Sequence, residues 1–229
     1  MHLKRLIVAI TGASGAIYGV RTLQLLRAAG GVEIHLVISP SAVRTLLAET
    51  DYTIEDLRKL GDVVHNHKDI GASIASGSFR TEGMVVVPCS VKSLSGIANC
   101  YDEDLIVRAA DVCLKERRRL VLMLRETPFH AGHIALMDQA TRMGAIVMPP
   151  IPSFYNRPKT IDDIVNQSVG RMLDLFDLAG DIVSRWTGTA PPPALGPELN
   201  VRCVRLTKIY KASHTTSERR SVDRSHVMV

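Results

Sequence analysis

Apolar runs alternate with amphipathic stretches along most of the chain. Leu6-Ile7-Val8-Ala9-Ile10 is a continuous apolar run that stops at Thr11-Gly12. Gly12, Ala13, Ser14 and Gly15 follow, and then Ile17, Val20, Leu23 and Leu26 recur at helical spacing. This pattern predicts a buried strand, a tight turn and a helix. A second strand is predicted over Ile34–Ser39. Helices follow from Ser41 to Glu49 and around Ile54 to Leu60. Asp62 to Asn66 is polar and receives no element. The small-residue stretch Ile70–Phe79 has the composition of an active-site loop. Met84-Val85-Val86-Val87 is a buried strand ended by Pro88, and Cys89-Ser90-Val91-Lys92-Ser93 opens another helix. A helix from Asp104 to about Glu116, a strand over Leu120–Leu124, a helix over Ile134–Met143 and a strand over Ala145–Met148 complete the alternation. Pro149, Pro150 and Pro152 cannot extend that last strand, because proline lacks the donor. Thr160-Ile161-Asp162-Asp163 has capping-box character, with Asp in place of Glu/Gln, and starts a long helix through Leu178. Strands alternating with helices predict a single-domain, doubly wound α/β fold with a mostly parallel sheet.

In such sheets ligands collect beyond the carboxyl ends of the strands. Five polar clusters fall at those ends: Gly12–Gly15, Ser39, Ser90–Ser93, Arg125-Glu126 and Ser153–Arg157. Their coincidence argues for one site. The turn before the first helix offers unpaired N–H groups and the positive end of a helix dipole, which suit a phosphate. The glycines narrow the ligand. A short-chain dinucleotide fingerprint wants T-G-x-x-G-x-x-G, but Tyr18 holds the third glycine position, with Gly19 one place late. NAD sites place an acid at the end of the next strand, where this chain has Ser39. A mononucleotide such as FMN is favoured over NAD. The competing reading is a strand-to-helix turn with no ligand.

The chain has 229 residues, 46% of them hydrophobic, which suits one large globular domain. No apolar run approaches the roughly 20 residues that cross a bilayer, and no signal peptide is read. The formal charge of +5 belongs mostly to the C-terminal part. From Ala190 onward there are seven Lys/Arg against three Asp/Glu, which leaves about +1 for the body. Hence nucleic-acid or membrane binding is not expected. The domain is assigned to 1–188, and the proline-rich, then basic 189–229 to a disordered tail. Cys89, Cys100, Cys113 and Cys203 form no C-x-x-C pair, which points to a reduced, cytoplasmic protein. His130 and His133 have metal-compatible spacing but lack a third ligand, so no metal is expected.

Six ordered motifs carry a resemblance: Thr11–Arg21 (T-G-A-S-G-A-x-Y-G-V-R), Ala75–Phe79 (A-S-G-S-F), Pro88–Lys92 (P-C-S-V-K), Arg108–Arg118 (R-A-A-D-V-C-L-K-E-R-R), Arg125–Pro128 (R-E-T-P) and Pro152–Pro158 (P-x-F-Y-x-R-P). Over about Leu6 to Trp186 the chain resembles the UbiX-type flavin prenyltransferases, a Rossmann-like flavoprotein family that includes hydroxyarylic acid decarboxylase B subunits. The resemblance implies that dimethylallyl phosphate, or the diphosphate, alkylates reduced FMN at N5 and C6 without a metal. The prenylated FMN then passes to a UbiD-type decarboxylase. It also implies a homo-oligomer, commonly a dodecamer, with sites at subunit junctions. No magnesium-binding D-D-x-x-D cluster is present.

By the same resemblance Gly12, Ala13 and Ser14 hold the flavin. Ser39 and the Ser90, Val91, Lys92, Ser93 turn bind its ribityl phosphate region, and Arg125 contacts FMN as well. Lys115, Arg125, Tyr155 and Arg171 surround the prenyl phosphate, where cations and a phenol suit a dianion. Ser14, Glu49, Glu126 and Lys115 are the candidate catalytic groups, Glu126 exchanging a proton with the departing phosphate. Trp186, the one tryptophan, matches a position that faces an allylic cation. Without the resemblance, Lys115 reads as part of a solvated charge run, Arg171 as a helix-surface residue and Trp186 as helix packing. Two other functions compete: an FMN-dependent decarboxylase or oxidoreductase acting on its own substrate, and an accessory decarboxylase subunit.

Overall fold

A computed structural model describes residues 4–178 together with Arg185 and Gly188. The chain divides into two units, Met1–Arg185 and Trp186–Val229, and of the second only Gly188 is described. The first unit is a six-stranded sheet with strand order β3-β2-β1-β4-β5-β6. The strands are β1 (Lys4–Ile10), β2 (Val32–Ile38), β3 (Val63–His65), β4 (Gly83–Cys89), β5 (Arg119–Leu124) and β6 (Ile146–Val147). Every pairing is parallel. The helices are α1 (Ala16–Ala29), α2 (Pro40–Glu49), α3 (Ile54–Leu60), α4 (Val91–Ala98), α5 (Leu105–Lys115), α6 (Ala131–Met143) and α7 (Ile161–Asp174).

Two cores form because side chains alternate across a strand. Leu6, Val8 and Ile10 of β1 enter the core that includes Val20, Leu23 and Leu26 of α1 and Val165, Val169 and Met172 of α7. Ile7 and Ala9 enter the other, with Leu94 of α4 and Ile106, Ala109 and Ala110 of α5. A strand covered on both faces must be apolar throughout, which is why β1, β4 and β5 read as continuous hydrophobic runs. The strand order reverses between β1 and β4, so the two loops that leave them diverge and open a crevice.

Several element boundaries differ from the sequence reading. Asp62–Asn66 contains β3, a three-residue edge strand with exposed Val63 and Val64. An edge strand this short has too few positions to show a period. β4 runs through Pro88 to Cys89, and its register against β5 shifts between Val86 and Cys89. α6 begins at Ala131, because the His130 ring nitrogen Nδ1 caps it by accepting the Gly132 N–H at 3.0 Å. α7 stops at Asp174, where a turn follows and Asp177 takes a φ of 57°. Cys89 and Cys113 are buried, and burial pushes both thiols up to about 12. Cys100 is exposed. Among the described residues no helix is long and apolar enough to cross a membrane. The proposed tail 189–229, Cys203 and Trp186 lie outside the described residues.

Candidate active site

The crevice at the strand reversal is braced by Thr11. Its hydroxyl donates to the Pro88 carbonyl at 2.8 Å and accepts the Ser90 N–H at 2.8 Å. The loop after β1 is thereby fastened to the loop after β4, through a buried side chain. A hydroxyl buried between two strand ends is invisible to periodicity, and nothing in the sequence reading singled Thr11 out.

A cavity of about 500 Å³ opens beside this brace, a size typical of small-molecule sites. Gly12 enters it from β1, Ser39 and Ser41 from the start of α2, Ser90–Ser93 from the start of α4 and Glu126 from the end of β5. His67 and Lys68 after β3, and Glu103 and Asp104 before α5, complete the wall, and the sequence reading missed all four. They follow an edge strand that the sequence did not reveal, or a capping turn.

The first turn differs from the expected phosphate cradle. Gly15 adopts a φ of 95°, which a side chain would strain. The Glu49 carboxylate accepts the N–H groups of Gly15 at 2.7 Å and Ala16 at 3.0 Å. The anion at the N-terminus of α1 is therefore supplied by the protein. Partial burial pushes the Glu49 carboxyl up, but the Ser14 hydroxyl, these two N–H groups and the Arg125 charge outweigh it and hold it below its ordinary value. Gly12 serves close packing: a Cβ there would collide with Ser41 of α2.

Among the described residues no carboxylate accepts from the N-termini of α2 and α4 as Glu49 does at α1. The Ser39 hydroxyl accepts the Ala42 N–H at 3.2 Å. The Ser90 hydroxyl accepts the Ser93 N–H at 3.3 Å and lies 3.1 Å from the Ser93 hydroxyl. The N–H groups of Ser41, Val91 and Lys92 have no carbonyl within their helices, so two positive helix ends face one cavity. These residues fit the phosphate of a mononucleotide. The acids of the wall are engaged elsewhere. Glu103 pairs with Lys92 at 3.1 Å, Asp104 accepts the Val107 N–H at 3.0 Å and Glu126 accepts the Thr127 N–H at 2.9 Å. A larger cavity, about 570 Å³, lies along β3, but its guanidinium, Arg58, is paired with Glu55 at 2.6 Å.

Lys115, one member of the prenyl-phosphate cluster expected from the sequence, stands apart from Arg125 within one chain. Arg125 and Glu126 follow the end of β5, whereas Lys115 ends the helix that precedes its start. The six residues of β5 separate them by about 20 Å. Lys115 pairs with Glu116 at 2.5 Å, and both lie against Gly77. Arg171, on the second half of α7, pairs with Asp174 at 2.6 Å. The Tyr155 hydroxyl, in the loop before α7, accepts from the Gln167 amide at 2.8 Å. Ala75–Phe79 is likewise remote from the cavity of its own chain. Ser73–Ala75 forms a 3-10 turn with Ile74 and Ala75 buried. Arg118 donates to the carbonyls of Gly77 and Phe79, and Phe79 lies under Arg5 at the start of β1. The Gly77–Phe79 part of the expected active-site loop Ile70–Phe79 is thus pinned at the amino end of the sheet. His130 and His133 have ring centroids 3.6 Å apart. Among the described residues no cluster of three metal-ligating side chains forms.

Comparison with known proteins places the chain in a family. A family profile described as Flavoprotein matches residues 1–173. The flavin prenyltransferase UbiX of Thauera aromatica is 60% identical over 184 residues, covering 80% of this chain and 94% of the relative. That of Escherichia coli K12 is 56% identical over 188 residues, covering 81% and 100%. A crystal structure of AnUbiX in complex with FMN and dimethylallyl pyrophosphate superposes with a TM-score of 0.80 at 51% identity, covering 82% of this chain and 99% of that one. A dodecameric FMN-dependent UbiX-like decarboxylase from Escherichia coli O157:H7 gives 0.79 at 50% identity, covering 80% and 100%. From its first strand to its last described helix, the chain belongs to the Flavoprotein family, among the UbiX-type flavin prenyltransferases.

Proposed function

We propose that this protein transfers a dimethylallyl group from dimethylallyl phosphate to reduced FMN and releases prenylated FMN for a UbiD-type decarboxylase. The observation that carries the reading is its likeness, over 82% of the chain, to a protein solved with both FMN and dimethylallyl pyrophosphate. Reduced FMN supplies the nucleophilic N5 and C6 positions. The chain's own groups do the rest. The N-termini of α2 and α4, with Ser39, Ser90 and Ser93, hold the FMN phosphate. Gly12, Ala13 and Ser14 line the flavin, and Glu49 fixes the Ser14–Ala16 turn beneath it. As the prenyl carbon–oxygen bond breaks, its electron pair leaves on phosphate, and Glu126 supplies the proton that stabilises the departing group.

Lys115 stands at the opposite end of β5 from Arg125 and Glu126, so it reaches that phosphate only if another copy brings it. We therefore propose a homo-oligomer whose sites are shared between copies. Two observations support it: motifs at both ends of the sheet, and the exposed apolar residues Ile151 (74% exposed), Phe154 (72%) and Ile161 (79%) around the loop before α7. The sequence has no acidic D-D-x-x-D cluster, so we expect activity to survive a chelator. A reducing, cytoplasmic setting suits reduced FMN. A second reading, decarboxylation of the protein's own substrate, is favoured by the name of one solved relative.

One experiment separates the readings. Purified protein is incubated anaerobically with reduced FMN and dimethylallyl phosphate, and the flavin is weighed by mass spectrometry. A flavin heavier by one five-carbon unit supports transfer. Unmodified FMN from active, flavin-bound protein would overturn it.

A further inference from the structure

We infer that Lys68 is the residue by which the cavity selects phosphorylated flavin, its ammonium pairing with the FMN phosphate between the N-termini of α2 and α4. This rests on the flavin reading above.

The cavity wall holds two lysines, Lys68 and Lys92. Lys92 is neutralised by Glu103 at 3.1 Å. The wall's other carboxylates, Asp104 and Glu126, accept backbone N–H groups of their own loops. Lys68 has no carboxylate within ion-pair distance among the described residues. Its sequence neighbour Asp69 instead accepts the Gly71 N–H at 3.1 Å.

The backbone carrying Lys68 is held in place. Its N–H donates to Asn66 Oδ1 at 3.1 Å, and its carbonyl accepts the Ile70 N–H at 3.1 Å. The adjacent His67 carbonyl accepts the Leu105 N–H at 2.8 Å, which ties this turn to the start of α5. A full positive charge thus stands on a fixed turn, facing a cavity into which two positive helix ends already point. Such an arrangement favours a dianion. Riboflavin, the same ring and ribityl chain ending in a hydroxyl, offers Lys68 no charge to pair with.

The test uses the full-length protein and fluorescence titration with FMN and, separately, riboflavin. Wild type should bind FMN more tightly than riboflavin. Lys68→Ala should weaken FMN by about tenfold or more, the value of a charge-assisted contact, and leave riboflavin unchanged. Lys68→Arg should keep the preference. Salt should weaken FMN binding less in Lys68→Ala than in wild type. If Lys68→Ala binds FMN as wild type does, or loses both flavins equally, the inference is wrong while the flavin reading stands. A wild type that binds neither flavin would sink both.

Discussion

Glu49 and Glu126 are both carboxylates at the carboxyl end of the sheet, but their surroundings assign them different work. Glu49 accepts two N–H groups at the positive end of α1, and its carboxyl is held below its ordinary value. A group depressed in the folded state contributes stability above its unfolded pKa and loses it as pH falls through the folded one. Glu49→Gln should therefore be less stable than wild type at neutral pH, by about 0.3–1 kcal/mol for an exposed dipole partner. The difference should shrink as pH falls below the ordinary carboxylate range and through the depressed folded value. Denaturant unfolding across that range checks it; a gap that does not change with pH would mean the contact is not electrostatic. Glu126 lines the cavity and, among the described residues, accepts the N–H of Thr127 in its own loop. An amide cannot relay a proton. Glu126→Gln should keep FMN and the prenyl phosphate yet form prenylated flavin at least about a hundredfold more slowly. Single-turnover product formation with both ligands saturating is the measurement, and a wild-type rate would reduce Glu126 to a structural residue.

At the scale of elements, α5 and β5 together span the sheet and put their functional residues at opposite edges. Lys115 closes α5 at the amino edge, and Arg125-Glu126 follow β5 at the carboxyl edge. Two loss-of-function variants at these edges test whether a site draws on two chains. Lys115→Ala and Glu126→Gln should each be impaired alone. Oligomers assembled from a mixture should regain activity, because some junctions then pair an intact Lys115 from one chain with an intact Glu126 from the other. Turnover of the co-refolded mixture is compared with the sum of the separate variants. No gain over that sum would place the complete site within one chain.

For the whole molecule, the question is how much of the chain the activity needs. The Escherichia coli K12 relative is matched along its entire length by 81% of this chain. The cavity, its brace and both cores lie within residues 4–178. We therefore expect a protein ending at Gly188 to bind FMN and turn over as the full chain does. Gel filtration and activity of that truncation are the readout, and loss of assembly would assign 189–229 a role in the oligomer.

The alternation of apolar runs and amphipathic helices, read without coordinates, determined the doubly wound class and the places where strands end. Strands covered on both faces must be apolar throughout, and that requirement is written locally. Ser39 and Ser90 were legible for the same reason, since a helix start needs a capping hydroxyl within a few residues of it. The tertiary structure decided the rest. It brought Glu49 to a turn 34 residues away, so that α2 and α4, with their serine caps, rather than α1, present N–H groups to the cavity. It set Thr11 between two strand ends separated by 77 residues of chain. It placed Lys68 after a strand too short to show a period, and it moved Ala75–Phe79 and Lys115 to the far edge of the sheet. Each of these depends on which strands become neighbours, and that order follows from packing the whole chain rather than from any window of it.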